Sequence, residues 1–129
     1  MAKGIVLLDA DYQKNNQLGD FLKKQQYRLV VKKTMAELNY YLKNYKGPVI
    51  LINSDTVAVT NRSLKELKNS YPEQNILIMS QRPFHPELKE AIGSYVYACL
   101  SIPVEPDELD YLLKSITENE VDSKQRTNR

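Results

Sequence analysis

Five short apolar runs, spaced along the chain and separated by longer amphipathic stretches, constrain this sequence more than any other feature. They lie at residues 5–8, 29–31, 49–52, 76–79 and 96–100. Four of them lead into residues of a different kind. Asp9 and Asp11 follow the first, Asn53 the third, Ser80 the fourth and Pro103 the fifth, after Ser101-Ile102. Runs this short and this continuously apolar suit strands covered on both faces, as in a parallel sheet. Strand ends in such a sheet gather at one edge, so these terminal residues are expected to meet.

The intervening stretches carry apolar residues at helical spacing. Leu18, Phe21 and Leu22 recur in the first, where Gly19 weakens the helix. Met35, Leu38, Leu42 and Tyr45 share a face of the second, with Thr34 and Glu37 as a capping-box pair and Gly47-Pro48 as its stop. Leu64, Leu67 and Tyr71 mark the third, with Ser63 and Glu66 as a second capping-box pattern and Pro72 at its end. The fourth follows Pro86 and carries Leu88, Ala91 and Ile92. Glu105-Pro106-Asp107-Glu108 opens the fifth, with proline in the first turn and acids at the positive end of the helix, ahead of Leu109, Leu112, Leu113 and Ile116. Strands alternating with helices are repeated βα units. Right-handed crossovers leave few topologies, and the expected fold is α/β: a flavodoxin-like (βα)5 three-layer sandwich whose five-stranded parallel sheet has the order 2-1-3-4-5.

With 129 residues, 42% of them hydrophobic, the chain has material for one core. Residues 1–118 are expected to form the domain and the polar stretch 119–129 a tail or linker, such as would lead into a further part of a larger protein. The 18 basic and 16 acidic groups leave a net charge of +2, too small and too dispersed to argue for nucleic acid, whose direct binding is not expected, and Lys124, Arg126 and Arg129 read as a solvated tail. The single cysteine, Cys99, has no internal disulfide partner and is expected to be a buried thiol in a reducing cytoplasm. The stretch after Lys3 is too short for a signal-peptide core, and no run approaches the roughly 20 apolar residues that cross a bilayer. His85 has no partner at triad or metal spacing, and no Gly-rich phosphate loop follows the first run.

The spacing from Asp9 to Asn53, Ser80 and Ile102-Pro103 resembles that of the receiver domains of bacterial two-component signalling. Receivers hold Mg²⁺ with acids, accept phosphoryl on an aspartate, sense it with a hydroxyl and pair it with a lysine. Asp9 matches the first of the paired acids, while Ala10 stands at the second and Asp11 is a substitute from the loop, which leaves Mg²⁺ as a weakly held cofactor at most. Asn53 matches the phosphoacceptor, and an amide is no nucleophile for this chemistry. Asp55, two residues on, is the alternative acceptor. The segment Ser54 to Thr60 lacks the hydrophobic-proline turn that follows a receiver aspartate. Ser80 matches the switch hydroxyl and Cys99 the switch aromatic. Ile102-Pro103 matches a lysine-proline pair whose peptide bond is implied to be cis, with isoleucine in place of the lysine.

The resemblance implies a degenerate receiver, or pseudo-receiver, in a two-component or phosphorelay pathway. It would be a phosphorylation-independent protein-protein interaction module and not an enzyme, alone or as the regulatory part of a larger response regulator. Its partner would be another protein or a second copy, docked through the face formed by the fourth helix, fifth strand and fifth helix, where Tyr95 and Tyr97 lie. Two other readings stay open. One is a phospho-accepting regulator using Asp55 with Mg²⁺ at Asp9 and Asp11; the other is a small flavodoxin-like ligand binder using the strand-end crevice.

Overall fold

The computed structural model describes residues 4–14, 16–44, 49–82 and 85–127, of which Lys14 and 118–127 are described for the backbone alone. Five strands alternate with five helices: β1 Gly4–Leu8, α1 Gln17–Lys24, β2 Arg28–Lys32, α2 Met35–Leu42, β3 Val49–Asn53, α3 Asn61–Ser70, β4 Asn75–Ser80, α4 Lys89–Ser94, β5 Ala98–Ser101 and α5 Pro106–Thr127. Short 3-10 turns stand at Tyr12–Lys14 and Pro86–Leu88. The sheet has the expected order β2-β1-β3-β4-β5, and every pairing is parallel, as continuously apolar runs alternating with helices predict.

The central strands β1 and β3 are buried along their whole length, so both of their faces meet helices. Because side chains alternate along a strand, the core divides in two. Val6, Leu8, Ile50, Ile52, Ile76 and Ile78 face Leu38, Leu42, Leu64, Leu67 and Ala91 of α2, α3 and α4. Ile5, Leu7, Val49, Leu51, Leu77 and Met79 face Leu22, Leu109, Leu113 and Ile116 of α1 and α5. Burying each aliphatic side chain is worth about 1.5–3 kcal/mol, so these two layers carry most of the stabilisation.

Local details depart from the sequence expectations where tertiary contacts intervene. Thr34 caps α2 by accepting from Glu37 N–H at 3.1 Å, but the Glu37 carboxylate returns to Lys33 N–H at 2.8 Å. The capping box of α3 is Thr60 with Ser63, reciprocal at 3.0 and 2.8 Å, and not Ser63 with Glu66. Glu66 instead pairs with Arg62 one turn away at 3.0 Å. Thr60→Ala should cost about 1 kcal/mol of stability, read as a lowered urea midpoint with unchanged slope. Gly19 lies against Tyr12: a Cβ there would collide with the tyrosine hydroxyl and stand 2.9 Å from its Cζ. The glycine that lowers helix propensity is what lets the β1–α1 loop close over α1.

Cys99 is exposed, not buried. It lies on β5, an edge strand, where Ala98 and Leu100 turn to the α1 and α5 layer and Cys99 takes the opposite side. What burial the thiol does have pushes its pKa up. The backbone of α5 stays helical to Thr127, across residue 118 where the sequence places the end of the domain. Tyr45 and the Gly47-Pro48 stop lie outside the described residues. Among the described residues no helix is long and apolar enough to cross a membrane.

Candidate functional site at the strand ends

Asp9 follows β1 directly and is fully buried, its N–H donating to Lys32 O at 3.0 Å. Its carboxylate accepts from three groups: Asp11 N–H at 2.9 Å, Thr56 Oγ1 at 2.9 Å and Asn53 Nδ2 at 3.3 Å. A buried charge survives only where hydrogen bonds replace its water, and these three do so. Asn53 ends β3, also buried, and its carbonyl accepts the N–H groups of Thr56 at 3.3 Å and Val57 at 3.0 Å. That tight turn sends Thr56 back to Asp9 and swings Asp55 the other way. Thr56 also accepts Ala10 N–H at 3.1 Å, which ties the two loops together.

Asp55 reaches β4. Ser80 Oγ donates to Asp55 Oδ1 at 2.6 Å and Gln81 N–H donates to Oδ2 at 2.7 Å. The same Ser80 oxygen accepts Arg82 N–H at 3.0 Å. Asn53 Oδ1 holds Asp55 N–H at 3.0 Å, so the buried and exposed halves of the cluster share one residue. Burial raises the Asp55 carboxyl, but the Ser80 hydroxyl, the Gln81 N–H, the His85 imidazole and the Arg82 guanidinium outweigh it, and the net position is below the ordinary 3.8. A carboxyl lowered in the folded state adds stability above its unfolded pKa and loses it as pH falls through the folded value. The Asp55 clamp should therefore hold at neutral pH and open only as pH falls below the ordinary carboxyl value of 3.8, seen as movement of the Gln81 and Arg82 amide resonances.

Next to the clamp, Arg82 makes a two-pronged contact with Glu87 at 2.6 and 3.3 Å, on the surface where solvent screens it. The His85 side chain is only 7% exposed and stands 3.9 Å from Glu87. Asn61, first residue of α3, donates to Glu87 O at 3.0 Å and accepts Ala91 N–H at 2.9 Å, so α3 holds both the turn at Glu87 and the start of α4.

Ile102 N–H donates to Ser80 O at 2.8 Å, and the Ile102-Pro103 peptide bond is cis, as the resemblance implied. The isoleucine side chain packs partly buried against the α1 and α5 layer. The strand ends thus bring together Asp9, Asp11, Asn53, Asp55, Ser80, Ile102 and Pro103. Tyr95 and Tyr97 are not among them. Tyr97 N–H donates to Ile76 O at 2.8 Å, near the start of β4 and so at the other end of the sheet from Ser80; Tyr97 is 40% exposed, while Tyr95 is half-buried against the first core layer.

A Mg²⁺ ion suits this donor set poorly. Both oxygens of Asp9 already accept from protein groups, Asp11 is exposed, and among the described residues no three His, Cys, Asp or Glu side chains group as a metal site. Thr56 is the site residue that the strand-end pattern missed. The only sequence signal for it is the polar turn Ser54-Asp55-Thr56 directly after β3.

No family model matches the chain, and no curated protein matches it by sequence. Solved structures do match by shape. The signal receiver domain of an HD domain-containing protein from Pseudomonas fluorescens Pf-5 is similar with a TM-score of 0.82 at 18% identity, over 95% of this chain and 99% of that one. A CheY-like response regulator receiver domain protein from Methanospirillum hungatei JF-1 gives 0.79 at 16% identity, over 95% and 99%. Full-length FixJ from B. japonicum gives 0.77 at 19% identity, over 90% of this chain and 58% of that one. With the strand order and the strand-end edge described above, the chain has the fold of response-regulator receiver domains.

Proposed function

We propose that this protein is a degenerate receiver of two-component signalling that works as a protein-protein interaction module without aspartyl phosphate, and that it is not an enzyme. The observation that carries the reading is the Asp55 clamp. In receivers the switch hydroxyl senses a phosphoryl group; here Ser80 donates at 2.6 Å to a carboxylate of the chain itself, with Gln81 N–H on the other oxygen. The anion is built in, so Ser80 is engaged without a phosphodonor. An amide at Asn53 and an isoleucine at Ile102 remove the acceptor and the lysine that phosphotransfer would use.

Output then comes from docking. The exposed strip of Tyr97, directly before β5, with Cys99 and Ser101 of β5 supplies mixed apolar and hydroxyl surface of the kind interfaces favour. The occupant is a protein partner or a second copy, and further domains of a larger regulator would receive the signal.

The test is intact mass after incubation with Mg²⁺ and acetyl phosphate, with Asp55→Asn alongside. The expected result is no phosphoryl adduct on either chain. One adduct that disappears in Asp55→Asn would replace this reading with a working receiver whose acceptor has moved two residues along the loop.

A further inference from the structure

We infer that the crevice between α1 and the β5–α5 loop is a binding site for a small, uncharged, mainly apolar molecule. The inference stands apart from the signalling role proposed above. The crevice has a volume of about 370 Å³, within the roughly 300–1,000 Å³ of small-molecule sites. Its walls come from three places: Leu18 and Phe21 of α1, Met79 of β4, and Ile102 and Val104 of the loop after β5. Asn53, at the end of β3, is the polar group on the side of the buried cluster.

The chemistry of the lining selects the ligand. Among the described residues the ten that form it comprise seven apolar side chains and three amides, and none is charged. An ion entering would lose its water without gaining a counter-charge from any lining side chain, which is costly. An anion would in addition approach Asp9, which is buried and bonded to Asn53. A neutral molecule with an apolar body meets neither obstacle, and a single donor or acceptor can address the amides. Isoleucine at residue 102 keeps the wall uncharged, where a lysine would put an ammonium into it.

The probe is indole, titrated into the full chain and followed by amide resonances, with indole-3-acetate as the charged control. Expected are saturable shifts centred on Leu18, Phe21, Met79 and Ile102 with a Kd of about 1 mM or tighter, a modest affinity that suits so small a molecule. The acetate should bind at least tenfold more weakly. Ile102→Lys should weaken indole at least tenfold, and Val104→Trp, which fills the crevice from its outer wall, should do the same if the lysine variant fails to fold. The inference is overturned by no shifts at several times that concentration, by shifts centred elsewhere, by equal binding of the acetate, or by folded variants that bind like the parent.

Discussion

Replacing Asp9 by alanine is expected to cost about 2–4 kcal/mol of folding stability at pH 7, measured as the loss in extrapolated urea unfolding free energy. The carboxylate is fully buried and accepts from Asp11 N–H, Thr56 Oγ1 and Asn53 Nδ2. Alanine leaves three donors facing one another. Two of them are near the surface, where water can serve them, while Asn53 is buried and its amide hydrogen has nowhere else to go. A lost hydrogen bond to a charged group costs about 1.5–3 kcal/mol and an orphaned buried donor adds about 1–3, and the estimate is set toward and slightly below the low end of their sum because water recovers part of it. Asp9→Asn should cost less, since one oxygen acceptor remains. A change under about 0.5 kcal/mol for the alanine variant would mean that the cluster is not what holds the β1 and β3 loops together.

Asn53→Asp should be comparably destabilising and, unlike the first, should depend on pH and on Mg²⁺. In the parent chain Asn53 Nδ2 donates to Asp9 Oδ2 at 3.3 Å. Aspartate turns that attraction into two carboxylates at contact distance in a buried site, and one of the pair is driven up in pKa. The sign follows directly: a carboxyl raised above its unfolded value withdraws stability as pH rises, so the variant should be nearest the parent below about pH 4 and lose about 2–4 kcal/mol by pH 7. Mg²⁺ should restore part of the loss at pH 7 by neutralising the pair, with little effect on the parent. A variant as stable as the parent at pH 7 would show that the two residues are not coupled. These two substitutions also bear on the phosphodonor experiment, because both act on groups that a working receiver would need charged and accessible.

Several features of the chain could be read without coordinates. Runs such as Ile5–Leu8 and Val49–Ile52 are apolar at every position, which only a strand between two helical layers can bury, and the amphipathic stretches between them dictate parallel pairing through right-handed crossovers. The meeting of Asp9, Asn53, Ser80 and Pro103 at one edge follows from that parallel pairing, while the order 2-1-3-4-5 is one choice among the few topologies that right-handed crossovers allow. Less was legible at β5. The run at 96–100 announces a buried strand, yet β5 lies at the sheet edge and Cys99 on it is exposed. Exposure of an edge depends on how much the neighbouring helix covers, and periodicity carries no such information.

By itself the sequence determined the layers, the parallel pairing and the types of residue gathered at the strand ends, because hydrophobic period and strand parity are properties of a few neighbouring residues. Tertiary structure alone decided who bonds to whom there. Ser80 meets Asp55 across 25 residues and Thr56 meets Asp9 across 47, pairings set by how two loops turn after their strands. The same is true of Gly19, whose missing side chain makes room for Tyr12, and of the crevice behind Ile102. Hydrogen bonds and cavities depend on distances of a few tenths of an ångström between distant segments, and only the packed chain fixes those.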